Sequence, residues 1–258
     1  VVVTHPHEDH AGGLPLLLER YRIAHLYGNG RRSEGLTARA IAVGARDHGL
    51  AVTTLRPGDA LHVDGTALRV LWPRSERVTD PDPGGRTVND SSIVLLGSVG
   101  ARRFLLMADA EDDVDPSLLA AGLPRLDLLK VAHHGSRTAT SAALLAMTRP
   151  TVAVISVGAK NDYGHPSPAT LERLATAGAR TYRTDRDGSV EVVLGPEGLE
   201  VRTAHDDRTR ASLLGSPLRE RPAQLPGAVL ARARLYHRRD VRARAGRGRR
   251  SSPRTRAA

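Results

Sequence analysis

The chain contains 258 residues, enough for one α/β domain with a substantial core. It has no cysteine, which excludes disulfides and thiol nucleophiles, so any metal must be bound by His, Asp and Glu. The net charge of +10 is uneven, because residues 202–258 hold 16 Arg and 4 acidic residues; subtracting these from the totals of 38 basic and 28 acidic residues leaves 22 and 24, a net −2.

The first predicted element is the end of a buried strand, residues 1–3, which leads directly into THPHEDH, residues 4–10. The candidate metal ligands in this segment are His5, His7, Asp9 and His10. The first two histidines would project from the same side of an extended segment, whereas the last two residues follow a turn. A lone His in a loop is usually just solvated, but three His beside an Asp within so short a segment favour a metal site.

Helices and short strands alternate over the next part of the chain. Helices are predicted where apolar residues recur at helical spacing, and strands where short apolar runs end at Gly or Pro. The predicted helices are residues 11–23 and 36–50, and the predicted strands are residues 24–30 and short segments within 51–73. Residues 74–90 are polar and rich in Pro and Gly, which predicts a loop.

Residues 91–111 predict a hairpin of two buried strands, and helices and strands alternate after it. The predicted helices are residues 113–123, 139–150 and 168–178; the predicted strands are residues 126–136, 151–158 and short segments within 180–201. This mixed order is typical of an α/β sandwich of two sheets with helices outside. Residues 203–258 lose the hydrophobic period and predict a disordered basic tail, which leaves residues 1–202 as the folded domain.

Two more predicted strands end in candidate ligands. Asp109 follows one strand, and His133 and His134 follow another. Strand ends from distant parts of a stacked-sheet fold can meet at one rim, and a cluster of N and O ligands there is what a two-metal hydrolytic site requires. The alternatives are a helix-capping acid at position 109 and strand-end histidines that contact only the backbone.

The segment THPHEDHAGG resembles the HxHxDH signature of the metallo-β-lactamase superfamily. Together with NDSSIVLL, RRFLLMADAE, LLKVAHHGS and YGHPSPATLERL, it resembles the C-terminal hydrolase domain of ComEC-type DNA-uptake proteins, over roughly residues 1–195. The resemblance implies a metallo-β-lactamase-like αββα sandwich with two divalent metal ions, Zn or Mn. The implied ligands are His5 and His7 on the first ion, Asp9 and His10 on the second, Asp109 bridging, and one of His133 and His134, with His134 preferred.

The same resemblance assigns catalytic roles to Asp9, His165 and Asn89. His165 would contact a phosphate or leaving group; otherwise it is a turn residue before a helix. Asn89 and Asp90 fall near the position where many relatives have another His ligand. They would orient a water or bind a metal weakly, or simply begin a strand.

The chain also departs from the family pattern. Relatives usually carry Gly before the bridging Asp, where this chain has Ala108. Their domain begins with strands that carry a DVGQGDA-like motif, and this sequence starts after them, so we expect the sandwich to lack its first strands and to have an unpaired sheet edge. The relatives are membrane-attached through other portions. The first residues lack the charged-then-apolar layout of a signal peptide, and no apolar run approaches the ~20 residues of a membrane span, so as given the chain is expected to be soluble.

The predicted function is that of a metal-dependent hydrolase, a phosphodiesterase or nuclease with DNA as its substrate in competence-type uptake. The alternatives are a metallo-hydrolase of another ester, a thioester or a lactam, and an inactive truncated remnant. The Arg-rich tail would bind nucleic acid through phosphates, or it is an extension without a binding role, the interpretation we prefer.

Overall fold

The computed structural model describes residues 1–31, 35–75, 78, 88–195 and 198–205, together with the backbone of residues 86–87 and 231–235. Its strands are β1 (Val2–Val3), β2 (Leu26–Gly28), β3 (Val52–Thr54), β4 (Ala60–Val63), β5 (Thr66–Trp72), β6 (Val94–Val99), β7 (Arg102–Leu106), β8 (Leu128–Lys130), β9 (Val152–Ile155), β10 (Arg180–Arg183), β11 (Val190–Gly195), β12 (Gly198–Thr203) and β13 (Ala231–Leu235). Its helices are α1 (Glu8–Ala11), α2 (Leu14–Arg20), α3 (Leu36–Asp47), α4 (Arg86–Asp90), α5 (Asp115–Ala120), α6 (Ala142–Thr148), α7 (Pro168–Thr176) and α8 (Thr184–Asp187), with a 3₁₀ turn at His133–Gly135. None of the helices in this part of the chain combines the length and the apolar character needed to cross a membrane.

The strands form three sheets. The largest has seven strands in the order β10-β9-β8-β7-β6-β5-β4, parallel from β7 to β10 and antiparallel from β4 to β7. A three-stranded parallel sheet has the order β1-β2-β3, and within the described residues β1 has only β2 as a strand neighbour. The third sheet, β12-β11-β13, is antiparallel.

The seven-stranded sheet is covered on both faces, which makes its central strands apolar throughout. In β9, all four residues of the segment VAVI are buried. One face packs on helices α5, α6 and α7 through a core that includes Leu105, Leu129 and Leu145. The other face packs on the two smaller sheets, and the parallel one is in turn covered by α2 and α3. The layers therefore run helix, sheet, sheet, helix, and the predicted αββα class is confirmed.

The predicted loop at residues 74–90 is wrong at its C-terminal end, where the chain forms α4. Asn89 and Asp90 are buried, and the Trp72 indole donates a hydrogen bond to the backbone carbonyl of Asp90. The polar composition of the segment hid this helix, because the contacts of its buried residues are polar: Asn89 approaches the His133 ring, and Asp90 accepts a hydrogen bond from the Glu111 amide.

The predicted boundary after residue 202 falls one residue before the end of β12, at Thr203. Most of the predicted disordered tail, residues 206–230 and 236–258, lies outside the described residues. Within it, the backbone of Ala231–Leu235 pairs antiparallel with β11, from Leu194↔Ala231 to Val190↔Leu235. The division into a domain and a tail stays a prediction.

Candidate metal centre

His5 lies just beyond the end of β1 and is fully buried. Its Nδ1 is 3.2 Å from both the Thr4 and the Ser92 hydroxyl oxygens, which fixes the orientation of the ring. Its Nε2 lies 3.9 Å from Asp109 Oδ2. Burial, reinforced by the nearby His10 ring, lowers the pKa of His5 to about 3, so the imidazole is neutral and can offer a nitrogen lone pair.

The candidate ligands Asp9 and His10 are presented by α1, which begins directly after His7. The amides of His10 and Ala11 both donate to the His7 carbonyl, at 3.1 and 2.9 Å, and this turn brings Asp9 and His10 back toward the end of β1. His10 Nε2 lies 3.1 Å from Asp109 Oδ2. Because of this helical turn, the side chains of Asp9 and His10 reach the same cluster.

Asp109 stands at the middle of the cluster. It is 1% exposed, and its amide donates to the Ser92 hydroxyl at 3.3 Å. Its Oδ2 lies within 3.1 Å of His10 Nε2 and 3.5 Å of His134 Nε2. Burial alone would raise the pKa of Asp109, but the hydrogen bonds from these two histidines outweigh it and hold the pKa well below the ordinary value of 3.8.

His134 reaches the same point from the end of β8. Its Nδ1 donates to the Ser156 carbonyl at 2.7 Å, so its Nε2 faces the carboxylates, 3.1 Å from Asp9 Oδ2. Burial lowers the pKa of His134, but the hydrogen bonds to Asp109 and Asp9 raise it to about 9. The same contact with His134 lowers the pKa of Asp9 to about 2.

His133, the other residue of the pair, borders the same carboxylate, with its Nε2 3.9 Å from Asp109 Oδ2. Its Nδ1 donates to the buried carboxylate of Glu111, and its Nε2 is 3.5 Å from the Asn89 amide nitrogen. Its ring lies 5.4 Å from the His165 ring, centroid to centroid. Residues 89, 133 and 165 therefore form a polar wall beside the metal centre.

The donor set fits a divalent cation. One ligand atom from each of Asp9, His10, Asp109 and His134 lies within 4.8 Å of the others. Imidazole nitrogen and carboxylate oxygen suit Zn and Mn. In addition, His5 Nε2 and Asp109 Oδ1 are buried without a hydrogen-bond partner among the described residues, which is costly unless a cation satisfies them.

Comparison with known proteins supports the same interpretation. The family profile described as "Metallo-beta-lactamase superfamily" matches residues 1–159. The chain belongs to the metallo-beta-lactamase superfamily.

Within this superfamily the chain is similar to several competence-related proteins. It is 30% identical to ComE operon protein 3 of Bacillus subtilis over 194 residues, which cover 74% of this chain and 24% of the relative. It is 31% identical to Recombination protein 2 of Haemophilus influenzae over 204 residues, 79% of this chain and 23% of the relative. It is 32% identical to Competence protein ComA of Neisseria gonorrhoeae over 141 residues, 54% and 19%.

The chain spans about a quarter of the length of these relatives or less. The predicted family resemblance is confirmed, and the chain is a metallo-beta-lactamase-fold hydrolase related to competence proteins.

The structure brings together most of the residues that the superfamily motifs predict as ligands. Asp9, His10, Asp109 and His134 share one cluster, and His5 borders it. The His7 ring lies 4.9 Å from the His5 ring, centroid to centroid, but His7 is not part of the four-residue cluster. His133 also lies outside that cluster, 3.9 Å from Asp109 Oδ2. The individual metal and catalytic roles stay predictions.

Sequence reasoning missed two residues that hold the metallo-beta-lactamase site in place. Ser92 links His5 to the amide of Asp109, and Glu111 binds the His133 ring. Both belong to segments that were recognised for other reasons, the NDSS and MADAE motifs. A hydroxyl or carboxylate next to a ligand motif is the signal that indicates such supporting contacts.

Proposed function

We propose that this chain is a metal-dependent phosphodiesterase that cleaves DNA. The observation that carries the proposal is the meeting of Asp9, His10, Asp109 and His134 within 4.8 Å of one another, at strand and helix ends far apart in sequence. Such a set of N and O ligands is typical of hydrolytic metal centres.

In this proposal, His5 and His7 would hold a first ion, and Asp9, His10 and His134 would hold a second. Asp109 would contact both, because its Oδ2 lies 3.9 Å from His5 Nε2 and 3.1 Å from His10 Nε2. When bound, the divalent ions supply Lewis acidity toward the phosphoryl group and activate a water. The metal is Zn or Mn.

The residues around the ions then position the substrate. Asp9 combines its ligand role with orientation of the attacking water, because its side chain is 60% exposed at the mouth of the centre. Asn89 and His165 both lie next to His133 and would contact the phosphate or the leaving group. Other groups of the site, such as His5 and Asp109, are buried. Their burial favours these contacts, because charge interactions are stronger where water is excluded.

The relatives favour DNA as the substrate. Their names refer to competence and recombination, and the chain matches about a quarter of two of them. For this chain, DNA is therefore the first substrate to test. Other esters, thioesters and lactams follow, because one site geometry serves many substrates.

Cleavage of single-stranded DNA with Mn or Zn tests the proposal. His7→Ala and Asp109→Ala should each lower the rate by about 100-fold or more, because even the loss of an outer-shell partner of a metal ligand typically costs roughly 10- to 100-fold. The matched control variants are His62→Ala and Asp47→Ala, at exposed positions, and these should cleave like the wild type.

Metal content, measured on the same preparations, separates the alternatives. Cleavage that survives both site substitutions contradicts the mechanism. Protein that holds metal but cleaves another ester and no DNA contradicts the substrate. Protein without bound metal at saturating Zn or Mn supports an inactive remnant.

A further inference from the structure

A row of aromatic rings leads from the metal centre to the protein surface. The centroid distances are 6.0 Å from His134 to His133 and 5.4 Å from His133 to His165. The last step is from His165 to Tyr163, at 5.9 Å with only 21° between the ring planes. Tyr163 is 81% exposed, so the row ends in an aromatic face that is open to solvent.

The loop that carries Tyr163 is held in place on both sides. The amide of His165 donates to Asn161 Oδ1 at 2.9 Å, and Asn161 Nδ2 donates back to the His165 carbonyl at 2.8 Å. These two bonds close the loop around residues 162–164.

The loop is also fastened to the turn that carries the histidine pair. The Ser167 amide donates to the Gly135 carbonyl at 2.8 Å. Pro166 lies so close to Gly135 that a side chain at position 135, whose φ is +84°, would overlap it. The backbone on the C-terminal side of Tyr163 is therefore tethered to the turn of the histidine pair, which limits the loop entropy that a ligand on the ring would lose on binding.

We propose that Tyr163, beside His165, is a stacking platform for a nucleobase of single-stranded DNA whose phosphate lies at the metal centre. This inference rests on the proposed function and adds a binding subsite to it. Aromatic side chains stack on bases of any sequence, so the subsite provides affinity without sequence preference. Bases inside a duplex are already stacked on each other, so the platform favours single strands.

The test is binding of a short, fluorescently labelled single strand with cleavage-resistant phosphorothioate linkages to the metal-loaded full chain, measured by anisotropy. Tyr163→Ala should raise Kd by about 5- to 100-fold, the range expected for the loss of one stacked base. Tyr163→Phe, which keeps the ring, should stay within about twofold of the wild type. The matched control is Tyr21→Ala, at another exposed tyrosine that lies at the end of α2.

A second DNA single strand of the same length, in which abasic sites replace the bases, reports whether Tyr163 stacks on a base. It should bind wild type and Tyr163→Ala equally. A strand with 2-aminopurine should lose fluorescence on binding the wild type and keep it with Tyr163→Ala.

The proposal is overturned if Tyr163→Ala binds the normal strand like the wild type, or if it loses the same affinity for the abasic strand. Because the measurement needs no cleavage, an inactive enzyme that still shows base-dependent binding would refute the nuclease and retain the platform.

Discussion

Positive backbone φ angles occur at residues that carry or precede candidate metal ligands. Ala108 has φ +48°, immediately before Asp109, and His133 and His134 have φ of +42° and +53°. The two turns are joined, because the His133 amide donates to the Ala108 carbonyl at 2.9 Å. L-residues adopt this region at a cost of roughly 1 kcal/mol each, so the metal centre is built on strained backbone that the surrounding structure maintains.

Replacing Ala108 by Gly should relieve part of this strain. We expect Ala108→Gly to raise the free energy of unfolding by up to about 1 kcal/mol, because Gly adopts positive φ without steric cost while its unfolded state offsets part of the gain. Urea denaturation measures the change. Ala110→Gly is the matched control at a buried alanine without a positive φ, and it should destabilise the protein. Equal destabilisation by both substitutions would contradict the strain at position 108.

A second residue-scale prediction concerns Asp115, which is 2% exposed. Its Oδ2 accepts a hydrogen bond from the Ser141 amide at 2.8 Å, while Oδ1 has no hydrogen-bond partner among the described residues. Burial raises the pKa of Asp115 above 3.8, and the bonds to Ser141 only partly oppose it. The folded state therefore keeps this proton to a higher pH than the unfolded state, and stability is lost as pH rises through that window.

Asp115→Asn should remove this dependence. The wild type should lose stability relative to the D115N variant as pH rises above about 4, the ordinary pKa of an aspartate, measured by urea denaturation at several pH values. Asp47→Asn, at an exposed carboxylate, controls for the general effect of one lost charge. Parallel stability curves for the wild type and D115N would show that the carboxyl of Asp115 titrates normally.

At the scale of elements, the sequence predicts those features that depend on neighbours along the chain. The HxHxDH cluster, the strand ends at Asp109 and the histidine pair, and most helices follow from local spacing. The contact of Ser92 with His5 and that of Glu111 with His133 depend on how strands and loops lie side by side, which spacing does not encode. The burial of Asn89 and Asp90 in α4 was missed for the same reason, because their contacts come from His133 and Trp72.

The hairpin of β6 and β7 contains another contact that depends on which residues face each other across two paired strands. Gly97 is paired with Phe104, whose ring covers the glycine and packs between the seven-stranded sheet and β11. A methyl group at position 97 would overlap that ring. Gly97→Ala should therefore lower the free energy of unfolding by about 1–3 kcal/mol, as overpacking does.

Gly13→Ala provides the control for this substitution, because an added methyl group there meets no atom within 4 Å. It should change the free energy of unfolding by less than about 0.5 kcal/mol. If Gly97→Ala were equally neutral in urea denaturation, the Phe104 ring would have to move freely, and the close packing of the two sheets at this point would be wrong.

For the whole molecule, the metal centre lies where the two sheet layers meet. Asp9 and His10 follow β1 of the parallel sheet, whereas Asp109 and His134 follow β7 and β8 of the seven-stranded sheet. The layers otherwise contact each other through apolar side chains such as Val2, Leu55 and Leu95. A bound cation would therefore connect both layers directly, and its binding energy would contribute to the stability of the whole fold.

Removal of metal should thus lower the thermal stability of the entire domain. A cation at 100 times its Kd stabilises the folded state by about 2.7 kcal/mol, which corresponds to a rise in Tm of roughly 5–10 °C for a domain of this size. Thermal melts of the wild type with Zn or Mn and with a chelator measure the difference. In Asp109→Asn the shift should largely vanish, since that carboxylate contacts ligands from both layers, whereas His62→Ala should keep it. Wild-type melts that coincide with and without metal would mean that no cation joins the two sheets.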